Sequence, residues 1–129
     1  MKAMVLSLMV FVSATSVAQN TVKTTYEDGT VKSEYVKQGK LVAVTNFYEN
    51  GAVKETGFFQ DGVPEGKWIT YATNGQKTAE LNYVNGKRHG EFRVWDDFAN
   101  AYVEVHYANG AIITADRYVK ETEFASKDR

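Results

Sequence analysis

From residue 20 to residue 119, apolar and polar positions alternate in short runs, each ended by a turn dipeptide. Tyr102 to Tyr107 puts Tyr, Glu and His on one face and Val, Val and Tyr on the other, the period of two that a half-buried strand requires. Lys67–Ala72, Thr78–Val84 and Phe92–Trp95 are further runs rich in Val, Tyr, Phe, Trp and Thr, side chains that suit a pleated surface. The punctuation is Asp28-Gly29, Asn50-Gly51, Asp61-Gly62, Asn74-Gly75, Asn85-Gly86 and Asn109-Gly110. Asn-Gly and Asp-Gly tolerate positive φ, so each is predicted to close a two-residue type I′ hairpin. No stretch carries the apolar spacing of about 3.6 that a helix needs. The pattern predicts an all-β chain.

The glycines also keep time. Gly51, Gly62 and Gly66 recur as Gly75, Gly86 and Gly90, each 24 residues on. Phe59-Gln60-Asp61-Gly62 parallels Tyr83-Val84-Asn85-Gly86, Glu65-Gly66-Lys67-Trp68 parallels His89-Gly90-Glu91-Phe92, and Tyr71 parallels Trp95. An earlier copy is weaker: Tyr26 to Lys32 matches Tyr48 to Lys54 at a spacing of 22. Tyr107-Ala108-Asn109-Gly110 reads as the start of a truncated last copy, 35 residues after Gly75 in place of 24, so 11 extra residues are expected around Asp96 to Tyr102. Fixed-period self-similarity marks a repeat architecture. The expectation is an antiparallel β-meander of tandem hairpin repeats forming one elongated twisted sheet, two strands per repeat. Trp68 is expected above Phe92, and Tyr71 above Trp95, as aromatic ladders. Strong twist, or curling of the sheet onto itself, is expected to bury one face.

Composition narrows the function. The 129 residues carry 15 basic and 16 acidic side chains, a net charge of -1. That lacks the basic excess of a nucleic-acid binder and the polybasic character of a protein held on anionic lipid. There is no cysteine, which excludes disulfides, thiolate metal sites, cysteine nucleophiles and a lipidated-cysteine anchor. At the N-terminus, Lys2 precedes an apolar run from Ala3 to Val12 broken only by Ser7, followed by Ser16-Val17-Ala18. This reads as a signal peptide over residues 1–18, cleaved near Ala18, and implies a periplasmic or secreted protein. The run is shorter than the roughly 20 residues a membrane-spanning helix needs. The domain expected to follow covers residues 19–119, with a charged tail over 120–129.

The catalytic inventory is thin. Past residue 18, Ser33 and Ser126 are the only serines, and neither lies in a Gly-x-Ser-x-Gly elbow. His89 and His106 lack metal-ligand spacing, and His106 is expected beside Glu104 on one strand face. Each Asp-Gly or Asn-Gly turn offers about one oxygen ligand, too few for calcium; Asp96-Asp97 is the best remaining candidate and reads as solvated loop charge. Glu55, Glu80 and Glu104 lie on strands, but a meander supplies no deep cleft for paired carboxylates. No enzyme, metal or cofactor is expected. Trp68, Tyr71, Phe92 and Trp95 are the densest aromatic group and serve either a core or a recognition surface. With Asp96 and Asp97 they form the candidate binding region, beside a small basic patch of Lys67, Lys87 and Arg88.

Tyr48-Glu-Asn-Gly-Ala-Val-Lys-Glu-Thr-Gly, followed by Asp61-Gly-Val-Pro-Glu-Gly-Lys-Trp-Ile-Thr-Tyr, resembles the MORN repeat variant of bacterial YwqK-type proteins. Tyr71 to Trp95 resembles it again, with one extra residue at Ala72-Thr73 and with Leu81 in the place of Gly57. The resemblance implies an all-β repeat fold and leaves activity open. Related proteins carry an antitoxin label, which implies toxin neutralisation, and MORN repeats elsewhere imply protein interaction or membrane association. The leading expectation is a non-enzymatic exported module that binds a protein or glycan. An open sheet also offers two edges for self-association, which the tail and the Asp96–Ala101 segment are expected to guard.

Overall fold

The computed structural model describes residues 20–120. The expected signal peptide, and the tail apart from Lys120, lie outside the described residues. Ten strands follow in chain order: β1 (Thr21–Thr25), β2 (Val31–Gln38), β3 (Leu41–Phe47), β4 (Val53–Gln60), β5 (Val63–Tyr71), β6 (Lys77–Val84), β7 (Lys87–Arg88), β8 (Gly90–Trp95), β9 (Ala101–Ala108) and β10 (Ala111–Val119). They form one antiparallel meander with β1 and β10 at its edges, as the alternation predicts. β7 and β8 are one strand interrupted at His89, and both pair with β6. No helix occurs among the described residues.

The repeat is more regular than the glycines suggest. β4, β6 and β9 start at residues 53, 77 and 101, and β5, β7 and β10 at 63, 87 and 111, each step 24 residues. Asn109-Gly110 is therefore the counterpart of Asn85-Gly86, not of Asn74-Gly75. The expected 11-residue interruption does not exist. A count of 24 from Gly75 lands on Ala99, where the repeat has lost its glycine but kept its geometry: Ala99 N–H donates to Asp96 O just as Gly75 N–H donates to Ala72 O. No residue is inserted: Trp95 pairs with Tyr102 without the register shift that sets Tyr71 on Lys77, so Asp96 N–H reaches Ala101 O where Ala72 N–H reaches Gln76 O. Ala72 likewise stands where Tyr48 stands, so there is no extra residue at Ala72-Thr73 either.

The shorter spacing of 22 has a backbone cause. β4 and β5 pair across a wide bulge in which Gly66, Lys67 and Trp68 stand opposite Gly57 alone. The same bulge recurs between β6 and β7–β8, where His89, Gly90, Glu91 and Phe92 stand opposite Leu81 and Asn82. β2 and β3 pair without interruption from Ser33–Asn46 to Gln38–Leu41, so that hairpin is two residues shorter. In β10 the bulge shrinks to Ile113 alone. There Thr114 replaces the repeat glycine and Asp116 replaces the repeat aromatic.

Turns on the two sides of the meander differ. Asp61-Gly62, Asn85-Gly86 and Asn109-Gly110 have positive φ at both residues and close two-residue hairpins, as predicted. At Asp28-Gly29, Asn50-Gly51 and Asn74-Gly75 only the glycine has positive φ. These are longer loops in which the glycine N–H closes a four-residue turn and the Asp or Asn Oδ1 accepts the N–H two residues on. They join the hairpins rather than cap them.

Each strand packs chiefly on its sheet neighbours, so the sheet does not curl onto itself. Burial comes from within one layer. Ser33, Val44, Trp68, Phe92 and Ala101 are the buried side chains, and the register places all of them on one face. Trp68 lies across Gly57, its ring 5.0 Å from Phe59 edge-on and its Nε1–H donating to Phe58 O at 3.1 Å. Phe92 sits 5.6 Å from Tyr83 and 4.6 Å from Tyr107. Trp68 and Phe92 thus share a face but not a contact, because a whole strand separates them and its side chains fill the rung. Across the bulge the volumes trade: a large indole over glycine in one repeat, a smaller ring over Leu81 in the next. On the opposite face one row crosses the sheet, Lys23, Glu34, Thr45, Thr56, Ile69, Glu80, Arg93, Glu104 and Asp116.

Side chains and turns also stitch each repeat to the next. Tyr26 Oη donates to Phe47 O at 2.6 Å and Tyr48 Oη to Tyr71 O at 2.7 Å, with Lys32 and Lys54 over the respective rings. On the other side Gly86 N–H donates to Pro64 O and Gly110 N–H to Arg88 O. Glu65 Oε2 accepts from Asn85 N–H at 2.8 Å, and His89 Nδ1 takes the same part toward Asn109 N–H at 3.4 Å. His89 is a repeat-stitching residue.

A methyl group at residue 57 would fall inside the Trp68 ring. Gly57→Ala is expected to destabilise the fold by roughly 1–3 kcal/mol, read as a lowered midpoint in urea unfolding. Because Trp68 stands on Gly57 alone in its bulge, Gly57→Ala combined with Trp68→Phe is expected to recover part of that loss.

Candidate functional site

The sheet divides the four aromatics of the candidate region. Trp68 and Phe92 are buried on one face, 6% and 5% exposed, and complete the packing there. Tyr71 and Trp95 are half-buried on the other face. Tyr71 lends its carbonyl to Tyr48, and Trp95 begins a second aromatic row, 6.0 Å from Tyr102, which stacks on Tyr118 at 4.9 Å and 18°. The expected alignment of Tyr71 with Trp95 is replaced by this row toward β10. The Arg93 guanidinium lies over Tyr102 at 5.8 Å.

The loop Asp96–Asn100 follows directly. Asp96 Oδ1 accepts from Asn100 N–H at 2.8 Å, so this carboxylate holds its own loop together. Asp97 is exposed on the same loop. Phe98 occupies the position held by Asp28, Asn50 and Asn74 in the other three loops and is 80% exposed. Ala99 holds φ 54° where the others have glycine. Left-handed backbone costs a residue with a Cβ about 1–2 kcal/mol relative to glycine. The loop joins β8 to β9 at the strand ends and covers neither edge of the sheet, contrary to the guarding role expected of it.

Beside the loop is a shallow open depression of about 410 Å³, lined by Val94, Trp95, Asp96, Ala101, Tyr102, Val103 and Arg117. Of the ten large apolar residues exposed among the described residues, seven lie from Val94 onward: Val94, Phe98, Val103, Ile112, Ile113, Tyr118 and Val119. Exposed apolar surface is concentrated in the last repeat. Isolated exposed apolar residues are ordinary on soluble proteins; a cluster marks an interaction surface.

The polar face holds a charged network. Glu80 is bound by Lys77 at 2.8 Å and Lys67 at 3.6 Å. Its carboxyl is held below the ordinary carboxylate value, first by the Lys77 hydrogen bond and then by the nearby cations, against some desolvation. Arg93 bridges Glu91 at 2.6 Å and Glu104 at 3.0 Å. Glu104 meets His106 at 2.8 Å, the pair expected from strand alternation. The Glu104 carboxyl is also held low, by its pairing with Glu91, then by hydrogen bonds from His106 and Arg93. Glu91, Glu104 and His106 bring ligand-type atoms within 4.8 Å of one another. The Arg93 guanidinium already takes the place a cation would fill, and it balances the carboxylates by bidentate-type pairing.

Sequence reasoning located the neighbourhood of this site through Trp95, Asp96 and Asp97. It missed Phe98 and Ala99, because glycine spacing skips a repeat whose glycine is gone. The count of 24 from Asn74-Gly75 would have found both.

In comparison with known proteins, residues 40–61 and residues 64–85 each match the MORN repeat variant. The two matches begin 24 residues apart and so keep the structural period. They bear out the resemblance to the MORN repeat variant in the middle of the chain. The next step, residues 88–109, continues the geometry beyond the match. The chain matches no curated protein and no solved structure.

Ala99→Gly relieves the left-handed strain. It is expected to stabilise the protein by about 1 kcal/mol, measured as a higher unfolding midpoint in urea.

Proposed function

We propose that this chain is an exported, non-enzymatic interaction module of the YwqK-type repeat class, and that it grips a protein partner with the loop Asp96–Asn100. The observation that carries this reading is Phe98, an aromatic side chain 80% exposed at a loop tip. Three equivalent loops solve the same turn with Asp-Gly or Asn-Gly, at no strain. The fourth spends stability on Phe98-Ala99 and leaves the Phe98 ring 80% exposed among the described residues. Departures of this kind from local sequence rules concentrate at functional sites.

The surroundings specify the partner's chemistry. Phe98 fits an apolar pocket, and the flanking Asp96 and Asp97 favour a rim of Lys or Arg side chains around it. The same two carboxylates oppose docking on an anionic membrane surface. A protein suits the apolar knob better than a glycan does. A toxin is one partner of the right kind, and the antitoxin role that the YwqK resemblance implies is the specific form of this proposal. The apolar N-terminal run supports placing the encounter outside the cytoplasm.

The test is capture from envelope extracts on the immobilised exported protein, followed by titration of the captured partner. Phe98→Ala is expected to weaken that partner by about thirtyfold or more, the effect of losing a hot-spot side chain of about 2 kcal/mol. Circular dichroism is expected to be unchanged. Unaltered affinity in the Phe98→Ala protein, or capture of no protein at all, would contradict the proposal.

A further inference from the structure

The last repeat departs from the others in two places that fit each other. The first is the loop, where Phe98 stands in place of Asp28, Asn50 and Asn74, with exposed Asp97 beside it. The second lies on the face that carries Trp68 and Phe92. One row of cross-strand partners there starts at Ser33, Asn46 and Glu55, each hydrogen-bonded to the next. The row continues through Thr70, reaches Val94 and Val103, and ends on Arg117. Val94 stands 24 residues after Thr70, and Val103 stands 48 residues after Glu55, so polar positions of the earlier repeats have turned apolar here. Val94 and Val103 are 49% and 38% exposed, and with buried Ala101 they line the open depression of about 410 Å³ beside the loop.

We infer that Phe98 of one copy of this chain seats in the depression of a second copy, and reciprocally, about a two-fold axis between loop and depression. Phe98 calls for an apolar recess with a basic group at its rim, and the chain itself carries one. Val94, Ala101 and Val103 supply the recess, and Arg117 lines it too, opposite in charge to the Asp97 that travels with Phe98. Asp96 also lines the depression, and its Oδ1 is taken up by Asn100 N–H at 2.8 Å. Asp96 belongs to both loop and depression, so knob and recess adjoin. A single two-fold rotation between them lays each knob on the other copy's recess, and such a contact is isologous and closes at two copies. No strand edge takes part, so the bulge at Ile113 and the charges of β10 do not oppose it. The inference rests on the reading of Phe98 as a contact residue: the second copy covers the ring until the protein partner displaces it.

Two rings and the valines beneath them make a small contact, so sedimentation of the unsubstituted exported protein is expected to reach twice the monomer mass only toward about 500 μM. Phe98→Ala and Val103→Glu are each expected to stay at monomer mass there, with unchanged circular dichroism. The fold already accepts glutamate at this place in the row, as Glu55. The chain has no cysteine, so introduced thiols report the reciprocal geometry. Asp97→Cys mixed with Arg117→Cys is expected to give a disulfide-linked dimer under oxidant, in excess of what either variant gives alone. Monomer mass throughout, self-association unaltered by Phe98→Ala, or no excess of crosslinking in the mixture would overturn the inference. Val103→Glu keeps the loop Asp96–Asn100, so partner capture on that variant reads the proposed function separately from the dimer.

Discussion

A sheet of one layer has no second layer to bury against, and that constraint shapes everything else in this molecule. Most domains remove apolar side chains from water between packed layers. Here the side chains that leave water do so against neighbouring strands. Trp68 is the clearest case: it is 6% exposed in a one-layer sheet because a wide bulge lowers it onto the bare backbone of Gly57. The bulge adds the two residues that lengthen the repeat from 22 to 24. Repeat length, bulge and aromatic burial are one feature seen at three levels.

The same constraint explains the stitching. A repeat that cannot bury its own core depends on its neighbours. Tyrosines clasp one side of the meander, and turn amides dock on preceding strands along the other. The clasp stops midway. Ala72 stands where Tyr26 and Tyr48 stand, and Thr78 where Lys32 and Lys54 stand, so the ring and the cation that covers it are lost together. From that point onward the sheet exposes more apolar surface. The tyrosine clasp is confined to the first repeats, the turn-amide docking runs through the later ones, and exposed apolar surface is concentrated in the last.

Much of the fold was legible in the sequence because turn chemistry is local. Asp-Gly and Asn-Gly pairs announce their backbone conformation, and alternating Val, Tyr and Thr announce strands. The meander follows from these. The face on which each aromatic lies was harder, because bulges and register decide it. Strand alternation alone puts Trp68 and Tyr71 on opposite faces, and the bulge over Gly57 decides that Trp68 is the buried one. The last repeat was misread for one reason: Ala99 holds a glycine's conformation without being glycine, and that fact belongs to the folded backbone alone. The binding region was half legible. Asp96 and Trp95 mark it in the chain, while Phe98 acquires meaning only when its three counterparts are seen to be Asp, Asn and Asn.

The array keeps a 24-residue register through the Phe98 loop, so that this loop is a modified repeat and not an interruption. Excision of residues 77–100 tests it, because Gln76 is then joined to Ala101 and one whole unit is removed. A continuous register predicts a shorter protein that still unfolds cooperatively, with all-β circular dichroism and lower stability. Excision of residues 77–98, two residues short of a unit, should leave the register broken and the C-terminal hairpin undocked. If the 24-residue deletion fails to fold, or if both deletions behave alike, the register does not run through the loop and the account fails.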